Sequence, residues 1–209
     1  VYDLANEVTG LDVAALCFEE NDKLDLTEYT QAALVTTTLA MTRVVEEHGI
    51  HADMTAGLSL GEYSAIAAAG GMKELDAIRL VRKRGILMQN TVPAGEGAMC
   101  AVMAMDAAKI EEVIEPIDGV TIANYNCPGQ IVITGKTEAV EQAAEALKEA
   151  GAKRTVMLNV SGPFHSPMLA PAGEELMKEL ETTTLSELKI PYVTNVTTEI
   201  ISDISRTKE

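Results

Sequence analysis

Apolar positions recur along this chain at two spacings, one typical of helices and one typical of strands. Residues 27–48 carry apolar side chains at helical spacing, which predicts a long helix. A short apolar run at 52–58 precedes a segment of small residues at 64–69, and this order predicts a strand, a sharp turn and a helix. Residues 73–91 predict another amphipathic helix, in which the interior Gly85 should cost about 1 kcal/mol relative to alanine.

The middle of the chain alternates between strand and helix patterns. Strand-like runs lie at 98–105, 120–125, 130–134 and 154–159, and helix-like runs lie at 106–115 and 137–150. This βαββαβ order is typical of a ferredoxin-like unit, here inserted into a larger α/β domain. We therefore expect residues 97–160 to form a small subdomain, and residues 1–96 and 161–209 to form an incomplete α/β core. The chain begins at a predicted helix and ends just after a predicted strand, Tyr192 to Val196, so we expect it to be truncated at both ends.

Composition and charge narrow the class of protein. The chain has 209 residues, 47% of them hydrophobic, which suffices for a substantial core. No apolar run approaches the ~20 residues that span a bilayer, and the first residues lack a secretory pattern, so we expect a cytoplasmic protein with no membrane partner. The 32 Asp and Glu outnumber the 16 Lys and Arg, and the net charge of -16 argues against a nucleic-acid partner. The 3 cysteines lack the spacing of a disulfide framework or a zinc site, so we expect no bound metal.

A candidate nucleophile lies in the turn between the predicted strand and helix. Gly57-Leu58-Ser59-Leu60-Gly61 fits the G-x-S-x-G pattern, in which a sharp bend exposes a serine hydroxyl. The helix that follows directs its first backbone N–H groups toward the serine, so the N–H of Leu60 is a candidate donor to an oxyanion. The alternative is a chance match in an unrelated loop, which the flanking strand and the alanine-rich helix disfavour.

A serine nucleophile needs a base, and the chain has 3 histidines. His48 and His51 lie at the end of the long predicted helix and in the loop after it, where a capping or solvated histidine is expected. His165 follows the last strand of the βαββαβ unit, in a loop that can reach back to the serine, and is the candidate base. The alternative is that His165 only caps the helix that begins at Pro167.

Arg84, on the predicted helix at 73–91, is the candidate for recognition of the acyl group. A guanidinium holds a carboxylate by two parallel hydrogen bonds, as binding of a dicarboxylic acyl group requires. An ordinary solvated helix arginine is the alternative. Asn124 and Asn126 precede Pro128-Gly129, where they either line a substrate pocket or only form the turn.

Taken together, these segments resemble the malonyl-CoA:acyl carrier protein transacylases, a family shared with the acyltransferase domains of fatty acid and polyketide synthases. The likeness lies in Thr30-Gln31-Ala32-Ala33, Gly57 to Ala65, Arg84-Gly85 with Met88-Gln89, Asn126 to Gln130, and Gly162 to Ser166. These segments span nearly the whole chain. The resemblance implies an α/β-hydrolase-like core with a ferredoxin-like small subdomain, in agreement with the order of elements above.

The same resemblance implies a role for each candidate residue. Ser59 would form a malonyl ester, His165 would move the proton, and Arg84 would bind the malonyl carboxylate. Met88 would line the pocket near Arg84, and the ring of Phe164 would limit the room beside the α-carbon, which favours malonyl over methylmalonyl groups. The implied partners are malonyl-CoA and acyl carrier protein, in fatty acid biosynthesis. We expect no metal or redox cofactor, and a monomer.

Departures from the family's pattern bear on the expected activity. Leu58 stands where the family usually has a histidine. The family's segments that supply an oxyanion glutamine and orient the catalytic histidine have no counterpart in this chain, so we expect these 209 residues alone to turn over poorly. Two other functions stay open. A serine esterase or thioesterase would use Ser59 and His165 without needing Arg84, and a non-catalytic fragment would bind a carrier protein without becoming acylated.

Overall fold

The computed structural model describes residues 1–160 and 162–208, which fold into two compact units. The first unit contains Val1–Ile86 and the chain from Glu175 onward, and the second contains Leu87–Glu174. The helices are α1 (Tyr2–Thr9), α2 (Val13–Phe18), α3 (Thr27–Glu47), α4 (Gly61–Ala68), α5 (Glu74–Thr91), α6 (Ala107–Ile114), α7 (Thr137–Glu149) and α8 (Ala170–Thr182). The strands are β1 (Thr55–Ala56), β2 (Gly97–Met103), β3 (Val120–Cys127), β4 (Gln130–Lys136), β5 (Arg154–Met157), β6 (Tyr192–Val193) and β7 (Ile200–Ile201).

A small sheet in the first unit has the strand order β1-β6-β7. Strand β1 runs parallel to β6, and β6 runs antiparallel to β7. The sequence predicts longer strands than these, at 52–58 and 192–196, but only two residues of each are paired with a neighbouring strand. Because parallel strands end at the same edge of a sheet, the residues that follow β1 and β6 emerge side by side.

The helices of the first unit bury an apolar cluster between them. The long helix α3 packs with α1, α2 and α5 around a buried cluster of Ala5, Val13, Val35, Leu39, Ile78 and Val81. Each buried leucine or isoleucine contributes about 1.5–3 kcal/mol to folding. In the described part of the chain, none of the helices combines the length and the apolar character needed to cross a membrane.

The second unit contains a four-stranded sheet in the order β3-β4-β2-β5, with antiparallel neighbours throughout. Its elements follow the predicted order, β2-α6-β3-β4-α7-β5. One face of the sheet packs against α6 and α7 through fully buried Ile110, Ile133, Val140 and Leu147. A two-residue loop, Pro128-Gly129, joins strands β3 and β4. Gly129 has a φ of 79°, a positive value that glycine adopts readily in such tight turns.

The second unit is wider than the predicted subdomain at 97–160. It also includes the end of α5, the chain between β5 and α8, and the start of α8 as far as Glu174. The reason is visible at Gly97, where an added Cβ would lie 2.3 Å from Cγ of Pro163, so the segment after β5 packs directly on β2. Positions 161 and 209, which the predicted boundaries name, lie outside the described residues.

Candidate active site after strand β1

Ser59 lies in a sharp turn between β1 and α4, as the sequence predicts. Its φ of 50° is in the left-handed region, where a residue with a Cβ is strained by on the order of 1–3 kcal/mol. Gly57 allows the turn to close, because a Cβ at this position would lie 2.0 Å from the carbonyl carbon of Gly61. A Cβ on Gly61 would meet no described atom within 4 Å, so only the first glycine of the pattern is required by space.

The backbone N–H of Leu60 lies at the N-terminal end of α4. The next residue, Gly61, donates back to the carbonyl of Leu58 at 2.9 Å. Within residues 1–160 and 162–208, the N–H of Leu60 donates to no acceptor. An unbonded N–H at the start of a helix, directly after a nucleophile, is the donor that an oxyanion needs. The role of Leu60 in binding an oxyanion stays a prediction.

Arg84 contacts the serine from helix α5. Its Nη2 donates to Oγ of Ser59 at 2.9 Å, and its Nη1 donates to Oε1 of Gln31 at 2.7 Å. The side chain is half-buried in this position. The alternative of an ordinary solvated helix arginine is therefore wrong.

The charge of Arg84 has no carboxylate within ion-pairing distance in the described part of the chain. Four other arginines do form ion pairs with Asp or Glu: Arg43, Arg79, Arg82 and Arg206. Burial lowers the pKa of Arg84, while Tyr63 and Glu62 nearby raise it. The guanidinium keeps its charge at neutral pH, because arginine side chains are not deprotonated in proteins. The half-buried cation beside Ser59 therefore favours an anionic ligand.

Gln31 orients this guanidinium from α3, a role that the sequence does not reveal. Its side chain is 3% exposed, and its Nε2 donates to Oγ1 of Thr27 at 3.0 Å. This bond directs Oε1 of the same amide toward Arg84. The sequence offers one signal: this glutamine precedes two alanines on the helix, so it is a polar side chain on a face that is largely apolar and buried. A buried polar side chain needs a hydrogen-bond partner.

Gly85→Ala is expected to destabilise the protein, although helix propensity alone predicts a gain of about 1 kcal/mol. A Cβ at Gly85 would lie 2.8 Å from both Cα of Glu28 and the carbonyl oxygen of Thr27. Helix α5 would have to move away from α3, and such overpacking costs about 1–3 kcal/mol. The free energy of unfolding in urea measures the effect.

Gly173→Ala in α8 is the matched control for this substitution. A Cβ at Gly173 would meet no described atom within 4 Å, so this change is expected to stabilise the protein by up to about 1 kcal/mol. Equal stabilisation by both substitutions would contradict the close approach of the two helices at Gly85.

A loop after β6 contacts the serine turn, and the sequence does not predict its involvement. The backbone N–H of Ser59 donates to Oδ1 of Asn195 at 2.8 Å, and the backbone N–H of Asn195 donates to Oε1 of Glu62 at 3.0 Å. Burial raises the pKa of the Glu62 carboxyl, while the bond from Asn195 and the charge of Arg84 lower it. Asn195 lies two residues after β6, which runs parallel to the strand before Ser59.

His165 lies in the second unit, in an exposed turn with a φ of 61°. The short helix after it is capped by Ser166, whose hydroxyl accepts the N–H of Met168 at 3.1 Å. The alternative in which His165 caps this helix is therefore wrong. His48 and His51 are exposed, and His48 is the C-cap residue directly after the long helix, as expected. The role of His165 as the base stays a prediction.

The other predicted pocket residues, Met88, Phe164 and Asn126, also lie in the second unit. Met88 is half-buried on α5, and Phe164 packs against an apolar cluster on the sheet. Asn126 is exposed at a β-bulge near the end of β3, where the register with β4 shifts. A bulge changes the direction of a side chain, as is common beside functional sites. Contacts of these residues with an acyl group stay predictions.

The described residues contain no group of three or more His, Cys, Asp or Glu that could hold a metal ion. Cys17, Cys100 and Cys127 are free thiols. The chemical groups that the structure assembles in the first unit are therefore a serine hydroxyl, a guanidinium and backbone N–H groups.

Comparison with known proteins identifies close relatives of this chain. The acyl transferase domain family matches residues 4–206. A malonyl CoA-acyl carrier protein transacylase of Bacillus subtilis is 44% identical over 100% of this chain and 68% of its own length. The enzyme of the same name from Escherichia coli K12 is 43% identical over 92% of this chain and 64% of its own length.

A solved structure has the same fold as this chain. It is a malonyl-transacylase in complex with a type II polyketide synthase acyl carrier protein, with a TM-score of 0.95 and 39% identity. The match covers 99% of this chain and 69% of the solved chain. The mixed α/β architecture is therefore that of the malonyl transacylases, and this chain spans about two thirds of the length of its relatives.

Proposed function

Because the chain belongs to the acyl transferase domain family, together with the malonyl CoA-acyl carrier protein transacylases, we propose that it transfers malonyl groups. The donor is malonyl-CoA, and the acceptor is the phosphopantetheine thiol of an acyl carrier protein. Ser59 carries the malonyl group between them as an ester, in a step of fatty acid biosynthesis.

One observation carries this proposal: a half-buried guanidinium without a carboxylate partner in the described residues donates to the hydroxyl of Ser59 at 2.9 Å. A malonyl group has a carboxylate on the carbon next to the carbonyl that Ser59 attacks. Bound at Ser59, this carboxylate would lie within reach of Arg84, whose planar fork presents several N–H donors. A neutral acyl group would leave the charge of Arg84 uncompensated.

In the first step, Oγ of Ser59 attacks the thioester carbonyl while His165 accepts the hydroxyl proton. The N–H of Leu60 donates to the oxyanion that forms. The carbon–sulfur bond then breaks, and the thiolate of coenzyme A takes the proton from His165. The malonyl group remains on Ser59 as an ester, with its carboxylate held by Arg84.

In the second step, the phosphopantetheine thiol gives its proton to His165, and its sulfur attacks the ester carbonyl. The carbon–oxygen bond breaks, Ser59 regains its proton, and the malonyl group leaves as a thioester of the carrier protein. This chemistry uses no metal or redox cofactor, since only acyl and proton transfers occur. Met88, Phe164 and Asn126 line the acyl pocket in this proposal, and the ring of Phe164 disfavours a branch on the α-carbon.

The finer architecture belongs to the same proposal. The first unit is the α/β-hydrolase-like core, with Ser59 at the strand-to-helix turn that such cores use for a nucleophile. The second unit is the ferredoxin-like subdomain. Its βαββαβ order and its antiparallel sheet support that assignment.

The test is an assay that follows both products. The protein is mixed with malonyl-CoA and a carrier protein bearing phosphopantetheine, and mass spectrometry records the carrier protein while free malonate is measured in parallel. Malonylation of the carrier protein that exceeds release of malonate is the expected result. The same carrier protein without phosphopantetheine is the control and should stay unmodified.

Other outcomes of the assay identify the alternatives. Rapid release of malonate without malonylated carrier protein would indicate a thioesterase. Binding of carrier protein without either product would indicate a docking fragment. Each of these results would contradict transfer.

A further inference from the structure

We infer that Asn195 is a positioning residue for Ser59, and that the carboxylate of Glu62 holds Asn195 in place. The inference rests on the proposed function, because it takes Ser59 as the nucleophile. Neither residue contacts the acyl group in the proposed reaction. Their task is to fix the direction of the hydroxyl through the backbone of the turn.

Two hydrogen bonds join Asn195 to the turn that contains Ser59, although the two segments are distant in sequence. The amide side chain of Asn195 accepts the N–H of Ser59 at 2.8 Å. The backbone of Asn195 in turn donates to Glu62 at 3.0 Å, one helical turn after Ser59. Asn195 is thus bonded to both sides of the bend, before α4 and within its first turn.

The strained backbone of Ser59 makes this connection necessary. A residue with a Cβ and a φ of 50° persists only where its surroundings specify that conformation. The crowding at Gly57 limits how far the turn can open, but it does not fix the rotation of the Ser59 peptide. The bond to Asn195 fixes that rotation, because an N–H group must point at its acceptor.

Asn195 itself is held by a short loop between β6 and β7. The N–H of Thr194 donates to the carbonyl of Glu199 at 3.0 Å, and the N–H of Glu199 donates to the hydroxyl of Thr194 at 3.1 Å. The hydroxyls of Thr194 and Thr197 are 2.7 Å apart. These bonds close the loop, and pairing of β6 with β1 places it beside the serine turn. The loop is therefore a fixed support.

Glu62 suits this task because of its place in the first turn of α4. A carboxylate there is favoured by the partial positive charge of the helix N-terminus. Burial raises the pKa of Glu62, and the N–H of Asn195 opposes this effect. Glutamine offers the same acceptor atom without the charge, so Glu62→Gln is expected to keep the connection.

The test measures how fast Ser59 is acylated by two reagents, malonyl-CoA and the neutral phenylmethanesulfonyl fluoride. Asn195→Ala is expected to lower both rates by about 10- to 100-fold, because a small displacement of a nucleophile has effects of this size. Asn195→Asp keeps an acceptor for the Ser59 N–H and is expected to restore most of the loss. Equal rates for Asn195→Ala and the unaltered protein would overturn the inference.

Thr197→Ala is the matched control, since Thr197 contacts Thr194 in the same loop and does not contact the serine turn through any bond described here. It should lower the unfolding temperature without slowing acylation. If both loop variants lost reactivity in proportion to their loss of stability, the role of Asn195 would be structural only, and the inference would fail. If Asn195→Ala does not fold, Glu62→Ala must slow acylation and Glu62→Gln must not; any other pattern would contradict the inference.

The two reagents separate this inference from the proposed function. A protein that reacts with phenylmethanesulfonyl fluoride at Ser59 but forms no malonyl ester would contradict the proposed function. The effect of Asn195→Ala on the neutral reagent would still decide whether Asn195 positions Ser59.

Discussion

Ser59→Ala is expected to reduce malonyl transfer by on the order of 10⁶-fold, the effect found when a serine nucleophile is removed. Without the hydroxyl, no ester forms, and the proposed two-step route is closed. Binding of malonyl-CoA should persist, because Arg84 and its bond to Gln31 stay in place. Transfer rate and affinity for malonyl-CoA, measured on the same preparation, check both parts of the prediction.

Ser59→Gly is the control for folding at this position. Glycine adopts a positive φ without the steric conflict of a Cβ, so Ser59→Gly should be more stable than Ser59→Ala by about 1 kcal/mol. Both variants should be inactive. A Ser59→Ala protein that transfers malonyl at nearly the normal rate would contradict the role of Ser59.

Arg84→Ala is expected to lower malonyl transfer by roughly 30- to 5,000-fold, which corresponds to about 2–5 kcal/mol for loss of a desolvated charge partner. The malonyl carboxylate would then lose its cation. Acylation of Ser59 by a neutral reagent should change far less, since a neutral group does not need the guanidinium. The ratio of the malonyl rate to the neutral rate is the quantity to measure.

Arg82→Ala is the matched control on the same helix. Arg82 forms an ion pair with Glu28 and stacks near the ring of Tyr29, with its Cζ 4.9 Å from the ring centroid, so its contacts differ from those of Arg84. It should reduce stability and leave the ratio of the two rates unchanged. Arg84→Lys should recover only part of the malonyl rate, because an ammonium lacks the two-pronged geometry. Equal losses for malonyl and neutral reagents in Arg84→Ala would contradict carboxylate recognition.

Much of the fold could be predicted from the sequence because its elements have clear periods. The helices at 27–48 and 73–91 and the six elements of the βαββαβ order appear within a few residues of their predicted bounds. The strands β1 and β6 were harder to predict in length. Strand length depends on pairing with residues far away in the chain, which an apolar run does not specify, and most residues of the run at 52–58 are exposed.

The residues of the candidate site also differ in whether a local sequence pattern predicts them. Ser59 lies in a local pattern of five residues. Arg84 is a charged residue on a helix that is otherwise apolar on one face. Both could therefore be identified as candidates from the sequence. Asn195 and Gln31 could not. The function of Asn195 depends on which strands end at the same edge of the sheet, and that of Gln31 depends on which helices approach closely. A local sequence pattern predicts neither property.

Gly85 shows why a local rule can give the wrong sign. Helix propensity treats this glycine as a weakness of α5. In the folded protein it is the position where the backbone of α3 lies against α5. That close approach brings Gln31 to Arg84, so the glycine supports the site.

The most direct measurement of the central claim is mass spectrometry of the protein after brief exposure to malonyl-CoA, followed by peptide mapping. We expect one malonyl group, attached to the peptide that contains Ser59, absent in Ser59→Ala and strongly reduced in Arg84→Ala. Addition of carrier protein with phosphopantetheine should remove the group and transfer it to the carrier. A malonyl group on any other residue, or equal labelling of Arg84→Ala, would contradict the claim that Ser59 is the nucleophile and Arg84 the carboxylate site.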